Sequence, residues 1–344
     1  MLKNKKILQI GLGSMGKRRI RNLIALGINP QDIQGFDISN KRNKEIEKLY
    51  QSQIKTSNDF EKIYKELNPD ILIISTPPNQ HCQYFLKAAK DKKHFFVEVS
   101  TTDKGYDKLL SLLDNTFIAA PSCTFRYLKS IKKIKTLIDQ KKIGRLLSFN
   151  YHFGQYLPDW HPWENYRKVY FSKKETGACR EMFSYELMWI NGIVNSKIKS
   201  IQGICKKVSN LNMKADDIYA SIVEYENNVT GTILIDLLSR TAKRTLRLIG
   251  TDGLLDWEWQ DYVIKIYTVK DKKFKTINLK KGISEKNYIT TEDMYVEEMK
   301  EFLKSIKNNT QFSYTFKDDL ETLRTLYALE KSARTKKSII IKAN

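Results

Sequence analysis

Near the N-terminus, Gly11-Leu12-Gly13-Ser14-Met15-Gly16 stands between a short aliphatic run, Lys6–Ile10, and an amphipathic stretch, Met15–Leu26. Few local patterns restrict a fold more. A strand must run into a turn so tight that the first glycine alone tolerates it. The second glycine lets a ligand approach the backbone, and the third lets the following helix pack close to the strand. The N-terminus of that helix then faces a phosphate with unpaired N–H groups and a favourable dipole. Asp37 lies 21 residues beyond Gly16, at the end of the next aliphatic run. A carboxylate there accepts hydrogen bonds from adenosine ribose hydroxyls, which predicts a dinucleotide site that favours NAD. Lys41 and Arg42 leave NADP as the lesser alternative, because a 2′-phosphate would find cations there.

The next hundred residues keep the same alternation of short aliphatic runs and amphipathic stretches, the pattern of a parallel sheet covered by helices. Strands are expected at Ile33–Asp37, near Ile54, and at Ile71–Ser75, Phe95–Val99 and Phe117–Ala120. Helices are expected at Lys41–Gln51, Asp59–Leu67, Gln80–Lys90 and Lys104–Leu113, the second of these with an Asn58…Glu61 capping box and a stop at Pro69. After Pro121 the pattern changes. One helix with Ile131, Ile134 and Ile138 on a face leads into long strands, two of them joined at Asn227-Asn228. Closing helices are expected at 292–306 and 317–335. The chain therefore divides into residues 1–121, a nucleotide-binding domain, and 122–344, a second α/β domain.

Composition removes several other classes. With 344 residues and 41% hydrophobic content the chain buries real cores. Its longest aliphatic run is Ile71–Ile74, whereas a membrane span needs about 20 apolar residues. The apolar stretch after the first basic residues is shorter than a secretory signal, so a cytoplasmic protein is expected. Four dispersed cysteines and four histidines lack any metal-site spacing, and no bound metal is expected. The formal net charge is +21, of which residues 1–121 carry +7. The excess follows length rather than forming an arm, and it is mostly lysine. It therefore predicts a solvated surface that steers small anions, not a nucleic-acid binder.

Two further loops fall on the ligand edge of such a sheet, beyond the carboxyl ends of its strands: Ser75-Thr76-Pro77-Pro78-Asn79-Gln80-His81 and Phe96-Val97-Glu98-Val99-Ser100. At this point the chain resembles the glucose–fructose oxidoreductase and inositol dehydrogenase (Gfo/Idh/MocA) family of NAD(P)-dependent sugar dehydrogenases. The likeness covers essentially the whole chain. It rests on the glycine motif, on Thr76-Pro77-Pro78-Asn79…His81, on Lys93-His94-Phe95-Phe96-Val97-Glu98, and on the turn Leu248-Ile249-Gly250-Thr251-Asp252-Gly253. The resemblance implies a Rossmann domain followed by an α/β domain with a large, open-faced, mostly antiparallel sheet, assembled into homo-dimers or homo-tetramers through that sheet. It implies that Gly11, Leu12, Gly13, Ser14, Met15, Gly16, Asp37, Ser75, Thr76, Pro77, Asn79, His81 and Glu98 line the cofactor.

The family's catalytic groups are the lysine of Glu-Lys-Pro and the Asp and His of a later helical DxGxH segment. Here Glu98 is kept, but Val99 and Ser100 stand at the Lys and Pro positions. Aligning Thr176–Tyr185 on the later segment puts Glu181 at the Asp position and Tyr185 at the His position. The two are i and i+4, on one helical face. Hydride transfer from a carbinol needs a base for the hydroxyl proton, which valine is not. Tyr185 serves if a nearby cation lowers its pKa, with Glu181 orienting it or binding a substrate hydroxyl. The same spacing also suits a core tyrosine beside a capping glutamate. A second candidate is His161, in the loop Gln155–Arg167, where Trp160 and Trp163 suit sugar faces and Arg167 suits a carboxylate or phosphate. That loop equally suits an oligomer interface. Arg126 matches a family arginine and is a further substrate-binding candidate, a helix-start salt bridge being the alternative.

The expectation is an NAD-dependent oxidoreductase acting on a secondary alcohol of a sugar derivative. A sugar phosphate or nucleotide-activated amino sugar of surface-glycan biosynthesis is preferred because the surface is cationic. The alternatives are a neutral-sugar or inositol dehydrogenase, and a degenerate NAD-binding sensor or partner subunit, which the missing lysine would favour.

Overall fold

The computed structural model describes residues 5–160, 164–285, 288 and 290–341. Strand β1 (Ile7–Ile10), helix α1 (Ser14–Ala25), β2 (Ile33–Phe36), α2 (Asn40–Leu49), β3 (Lys55–Ser57), α3 (Phe60–Leu67), β4 (Ile71–Ile74), α4 (His81–Lys90), β5 (His94–Val97), α5 (Tyr106–Leu112) and β6 (Ala119–Pro121) follow one another as the alternation predicts. The six strands form a parallel sheet in the order β3-β2-β1-β4-β5-β6. β1 and β4 are buried along their whole length, which is why both read as unbroken aliphatic runs. The sheet order reverses direction between them, the position where open α/β sheets bind ligands.

One local expectation is corrected. The cap of α3 is Asp59, whose carboxylate accepts from Lys62 N at 3.0 Å, one residue later than the Asn58…Glu61 box. The later position prevails because Asp59 itself takes the extended backbone of an N-cap. Asn68, in the left-handed region at φ 45°, ends the helix just before Pro69.

The chain continues through α6 (Lys129–Asp139), β7 (Leu146–Gly154), α7 (Ala178–Val194), β8 (Ile198–Lys206), β9 (Ile218–Tyr225), β10 (Thr230–Asp236), β11 (Lys243–Gly250), β12 (Gly253–Glu258), β13 (Val263–Thr268), β14 (Phe274–Asn278), α8 (Asp293–Asn308), α9 (Phe316–Thr335) and β15 (Ile339–Ile340). In α6 the buried row is Ile131, Ile134 and Leu137, so Ile138 stands at the margin. Nine strands make a sheet in the order β14-β13-β12-β11-β7-β10-β9-β8-β15, antiparallel except where β10 runs parallel to β7. α7 packs on β9 and β10. The opposite face of the sheet leaves Ile204, Ile222, Ile249, Phe274 and Ile340 exposed. β14, with most of its side chains exposed, has no amphipathic signal and was not foreseen.

The chain resolves into two compact units, the first comprising residues up to Thr124 together with Glu292–Leu320, the second Phe125–Thr291 together with Glu321 onward. The first boundary lies three residues from 121. The return of 292–320 to the first unit departs from the contiguous 122–344 expected from the sequence. Its cause is visible in α8, which packs on α1 through an Arg18–Glu292 ion pair at 2.9 Å and sets the Tyr295 ring 4.2 Å from the Arg18 guanidinium.

Candidate active site

In the first unit the three glycines are held apart by different contacts. Gly11 has φ +86°, and a Cβ there would lie 2.6 Å from Ser75 O on the neighbouring loop. A Cβ on Gly16 would lie 1.8 Å from Gly11 O. On Gly13 it would meet nothing nearer than the Arg42 guanidinium, at 3.9 Å. Gly11 and Gly16 are thus required by the protein's own backbone, and Gly13 leaves the backbone accessible. α1 follows its N-cap Gly13 with no side-chain cap and no acidic residue in its first turn, so its N–H groups favour an anion. Ser14 and Met15, both half-buried, follow directly. This arrangement fits a pyrophosphate.

Asp37, buried at the end of β2, accepts from Leu12 N at 2.8 Å through Oδ2 and from Ser39 N at 2.8 Å through Oδ1. It thereby ties the glycine turn to the loop that receives the ribose in this fold. Arg42 approaches the same Oδ2 at 3.4 Å and is half exposed. Gln9, which no sequence signal marked, donates through Nε2 to Gly11 O at 3.1 Å and to Ser75 Oγ at 3.1 Å, joining the turns that follow β1 and β4.

The loop after β4 places Ser75 and Thr76 half-buried and Pro77 and Asn79 exposed. His81 is buried, and its Nε2 bonds Thr76 O at 2.7 Å, so the histidine closes the loop on itself. Burial lowers its pKa to about 4, which keeps the ring neutral and leaves Nε2 the donor.

Beyond β5, Glu98 is gripped by Arg19 of α1 through Nε at 2.6 Å and Nη2 at 3.1 Å. Arg19 is fully buried against the Phe96 ring, and its Nη1 lies 2.9 Å from Oε2 of the equally buried Glu298 on α8. Glu298 also accepts from Ser122 Oγ, Cys123 N and Thr124 Oγ. Burial works against the Arg19 charge, but the two carboxylates outweigh it and hold the guanidinium protonated. Val99 is buried, so no amine stands at the family's lysine position.

In the second unit Tyr185 and Glu181 lie one turn apart on α7, both half-buried. Glu181 Oε1 accepts from Tyr170 O–H at 2.9 Å. The Tyr185 ring meets the Phe125 ring edge-on, with centroids 5.2 Å apart. Behind it stands a cation that the sequence did not single out. Arg244 of β11 is buried, with its guanidinium 4.5 Å from Phe125, 4.6 Å from Phe153 and 4.8 Å from Trp259. Its Nε donates to Glu186 at 2.9 Å, and it shares the Phe125 ring with Tyr185. Glu186, the neighbour of Tyr185 on α7, also accepts from Tyr151 O–H at 2.6 Å and Trp189 Nε1 at 2.7 Å.

Trp160 packs between Phe153 and Phe171, and its buried Nε1 has no hydrogen-bond partner among the described residues. His161 and Trp163 lie outside the described residues. Arg126, half-buried, places its Nε 3.5 Å from where a Cβ on Gly192 would stand, two turns along α7 from Tyr185. Arg167 is exposed and lies over the Tyr166 ring at 5.6 Å. The structure thus gathers Tyr185, Glu181 and Arg126 along α7, while His152 bonds Asp236 at 2.6 Å. Among the described residues no group of three or more His, Cys, Asp or Glu is placed to hold a metal ion.

A parallel sheet in this order, with an accessible glycine at a helix N-terminus and a carboxylate at the end of β2, defines a dinucleotide-binding domain of the Rossmann class. Residues 5–113 match the model of the oxidoreductase family with an NAD-binding Rossmann fold, and residues 131–256 match the GFO/IDH/MocA C-terminal domain. The chain belongs to the Gfo/Idh/MocA family of oxidoreductases and is an NAD-binding enzyme. No curated protein matches it in sequence. Among solved structures it is similar to an oxidoreductase from Agrobacterium radiobacter in complex with NAD+, L-tartaric acid and magnesium, at 14% identity and TM-score 0.86 over 98% of each chain. It is also similar to levoglucosan dehydrogenase in complex with NADH, at 16% identity and TM-score 0.84 over 99% of this chain and 100% of that one. An oxidoreductase domain protein from Kribbella flavida, at 14% identity, gives TM-score 0.85 over 99% and 100%.

Proposed function

We propose that this protein is an NAD-dependent dehydrogenase of a secondary alcohol on an anionic sugar derivative, with Tyr185 as the acid–base group in place of the family's lysine. The observation that carries the reading is the placement of Tyr185, half-buried on α7 beside Glu181 and in the field of Arg244, in a chain whose lysine position is a buried valine. Gly11 to Gly16, Asp37, Ser75, Thr76, Pro77, Asn79 and Glu98 hold the cofactor, His81 keeps their loop closed, and Arg19 fixes Glu98. NAD, when bound, supplies the hydride acceptor. Tyr185 takes the hydroxyl proton in oxidation and returns it in reduction. Glu181 binds an adjacent substrate hydroxyl, and the Trp160 Nε1–H, without a hydrogen-bond partner among the described residues, suits a sugar oxygen.

The anionic preference is supported by Arg126 and Arg167 and by the +21 net charge. Among the similar structures, the Agrobacterium radiobacter oxidoreductase is in complex with L-tartaric acid, an anion at neutral pH, whereas levoglucosan dehydrogenase is in complex with the uncharged L-sorbose and levoglucosan, which suit the neutral-sugar alternative. A sugar phosphate or nucleotide-activated amino sugar of a glycan pathway meets these terms. Assembly into a homo-dimer or homo-tetramer through the open sheet face is in keeping with the exposed Ile204, Ile222 and Ile340 there. Among the described residues no helix is long and apolar enough to cross a membrane.

The test is absorbance at 340 nm with NAD and a panel of sugars, sugar phosphates and nucleotide sugars. Turnover of an anionic member that falls at least about a hundredfold in Tyr185→Phe is the expected outcome. Full turnover in that variant removes Tyr185 from the chemistry. Tight NAD binding without turnover of any member favours a sensor, the reading that Val99 would then support.

A further inference from the structure

We propose that Arg244 is the positioning residue for Tyr185: a buried cation, fixed by an aromatic cage and by Glu186, that stabilises the Tyr185 phenolate and so lets a tyrosine do what the family's lysine does. The proposal rests on the reading of Tyr185 as the acid–base group.

The geometry is specific. Tyr185 and Glu186 are consecutive on α7, so the two side chains project about 100° apart and straddle whatever packs against that edge of the helix. What packs there is Arg244. It is bonded through Nε to Glu186 and lies over the same Phe125 ring that meets Tyr185 edge-on. Phe153 and Trp259 close the cage. A guanidinium held by three rings and one carboxylate cannot swing toward water, so its charge is a fixed feature of the site.

Glu186 alone would cancel much of that charge. Its carboxylate, however, also accepts from Tyr151 O–H and from Trp189 Nε1–H through Oε2, the oxygen that Arg244 Nε does not take, and these donors disperse its negative charge. Glu181, one turn back on α7, is bonded to Tyr170, and Arg126 from the turn Thr124–Tyr127 lies against Gly192, two turns further along the helix. Arg180 and Tyr219 face Glu330 instead, on a different side of α7. Burial holds the Tyr151 phenol well above its usual range, so it stays protonated as a donor to Glu186. A cation within electrostatic reach favours the charged form of an acid, and at Tyr185 that form is the base the reaction requires.

The test needs no substrate. Phenolate absorbance near 295 nm is titrated in the wild type and in Tyr185→Phe, and the difference isolates Tyr185. A difference step below pH 9 is expected, kept in Arg244→Lys and raised by at least one pH unit in the double variant Arg244→Met/Glu186→Gln, which removes both charges and leaves no buried carboxylate alone. A step at pH 10 or above in the wild type overturns the role of Arg244, and so does an unchanged step in the double variant. If the double variant does not fold, the wild-type step and Arg244→Lys decide alone. Failure of the underlying reading is separate: it appears as full turnover in Tyr185→Phe, whatever the titration gives.

Discussion

The Arg19 guanidinium, fully buried, holds the Glu98 carboxylate by two parallel hydrogen bonds, Nε to Oε1 at 2.6 Å and Nη2 to Oε2 at 3.1 Å. The residue the family pairs with a catalytic lysine is therefore fixed here by the helix that follows the glycine turn. Its orientation depends on Glu298, which takes the opposite side of the same guanidinium. Replacing Arg19 by Leu leaves Glu298 buried without its cation, and a loss of about 3–5 kcal/mol is expected in urea unfolding. Glu98→Gln, by contrast, keeps Arg19 paired with Glu298. A loss of at most about 1–2 kcal/mol is expected, with a larger effect on NAD affinity.

Gly13 and Gly16 separate ligand from scaffold. In Gly13→Ala the added methyl meets only the Arg42 guanidinium at 3.9 Å, and the backbone there, at φ −70°, is one that alanine adopts. The free protein should keep its melting temperature or gain about 0.4–1 kcal/mol, while NAD binds at least about tenfold more weakly by calorimetry. In Gly16→Ala the methyl would stand 1.8 Å from Gly11 O, and the free protein itself should lose several kcal/mol. Equal effects of the two variants on the free protein would refute the distinction.

Asp37 and Arg42, 3.4 Å apart beyond the end of β2, are the pair expected to set the cofactor ratio. Asp37→Asn removes the charge that repels a 2′-phosphate and leaves Arg42 without its carboxylate. The ratio of kcat/KM for NAD over NADP should fall at least about tenfold, and Arg42→Ala added to it should restore part of the preference. An unchanged ratio in Asp37→Asn would show that discrimination lies elsewhere.

Two buried groups in the first unit impose opposite pH dependences. Burial lowers the His81 pKa to about 4, below the ordinary 6.5, so its contribution is complete above about 6.5 and is lost as pH falls toward 4. Burial raises the Asp319 pKa to about 6, above the ordinary 3.8, so its contribution is complete below about 3.8 and is lost as pH rises toward 6. Each window is worth about 3 kcal/mol, and between pH 4 and 6 the two nearly cancel. Relative to the wild type, Asp319→Asn should therefore become more stable as pH rises from 4 to 6. His81→Gln should become less stable over the same range. Denaturant midpoints at pH 4, 5 and 6 check both signs.

How far the sequence is readable varies with the range of the interactions involved. The parallel strands of the first unit were legible because burial on both faces demands continuous aliphatic runs such as Ile71–Ile74, and a glycine motif between strand and helix is a local pattern. Asp59 was missed as a cap by one residue, because Asn58 is chemically as good a cap and only backbone conformation distinguishes them. β14 was invisible, since an edge strand with most of its side chains in solvent carries no alternation.

The sequence by itself determined the nucleotide-binding half, the positions of Asp37 and Glu98, the loss of the lysine and the shared helical face of Glu181 and Tyr185. All of these follow from residues within a few turns of one another, where spacing fixes geometry. Only the tertiary structure decided that α8 returns to carry Glu298 to Arg19, that Arg19 grips Glu98, and that Arg244 bonds Glu186, the neighbour of Tyr185. Those partners come from elements 58 to 279 residues apart in the chain, counted from Glu186 to Arg244 and from Arg19 to Glu298. A buried charge leaves no periodic trace in a sequence. Its partner is chosen by sheet order and helix packing, and the cost of burying it unpaired is what makes the choice strict.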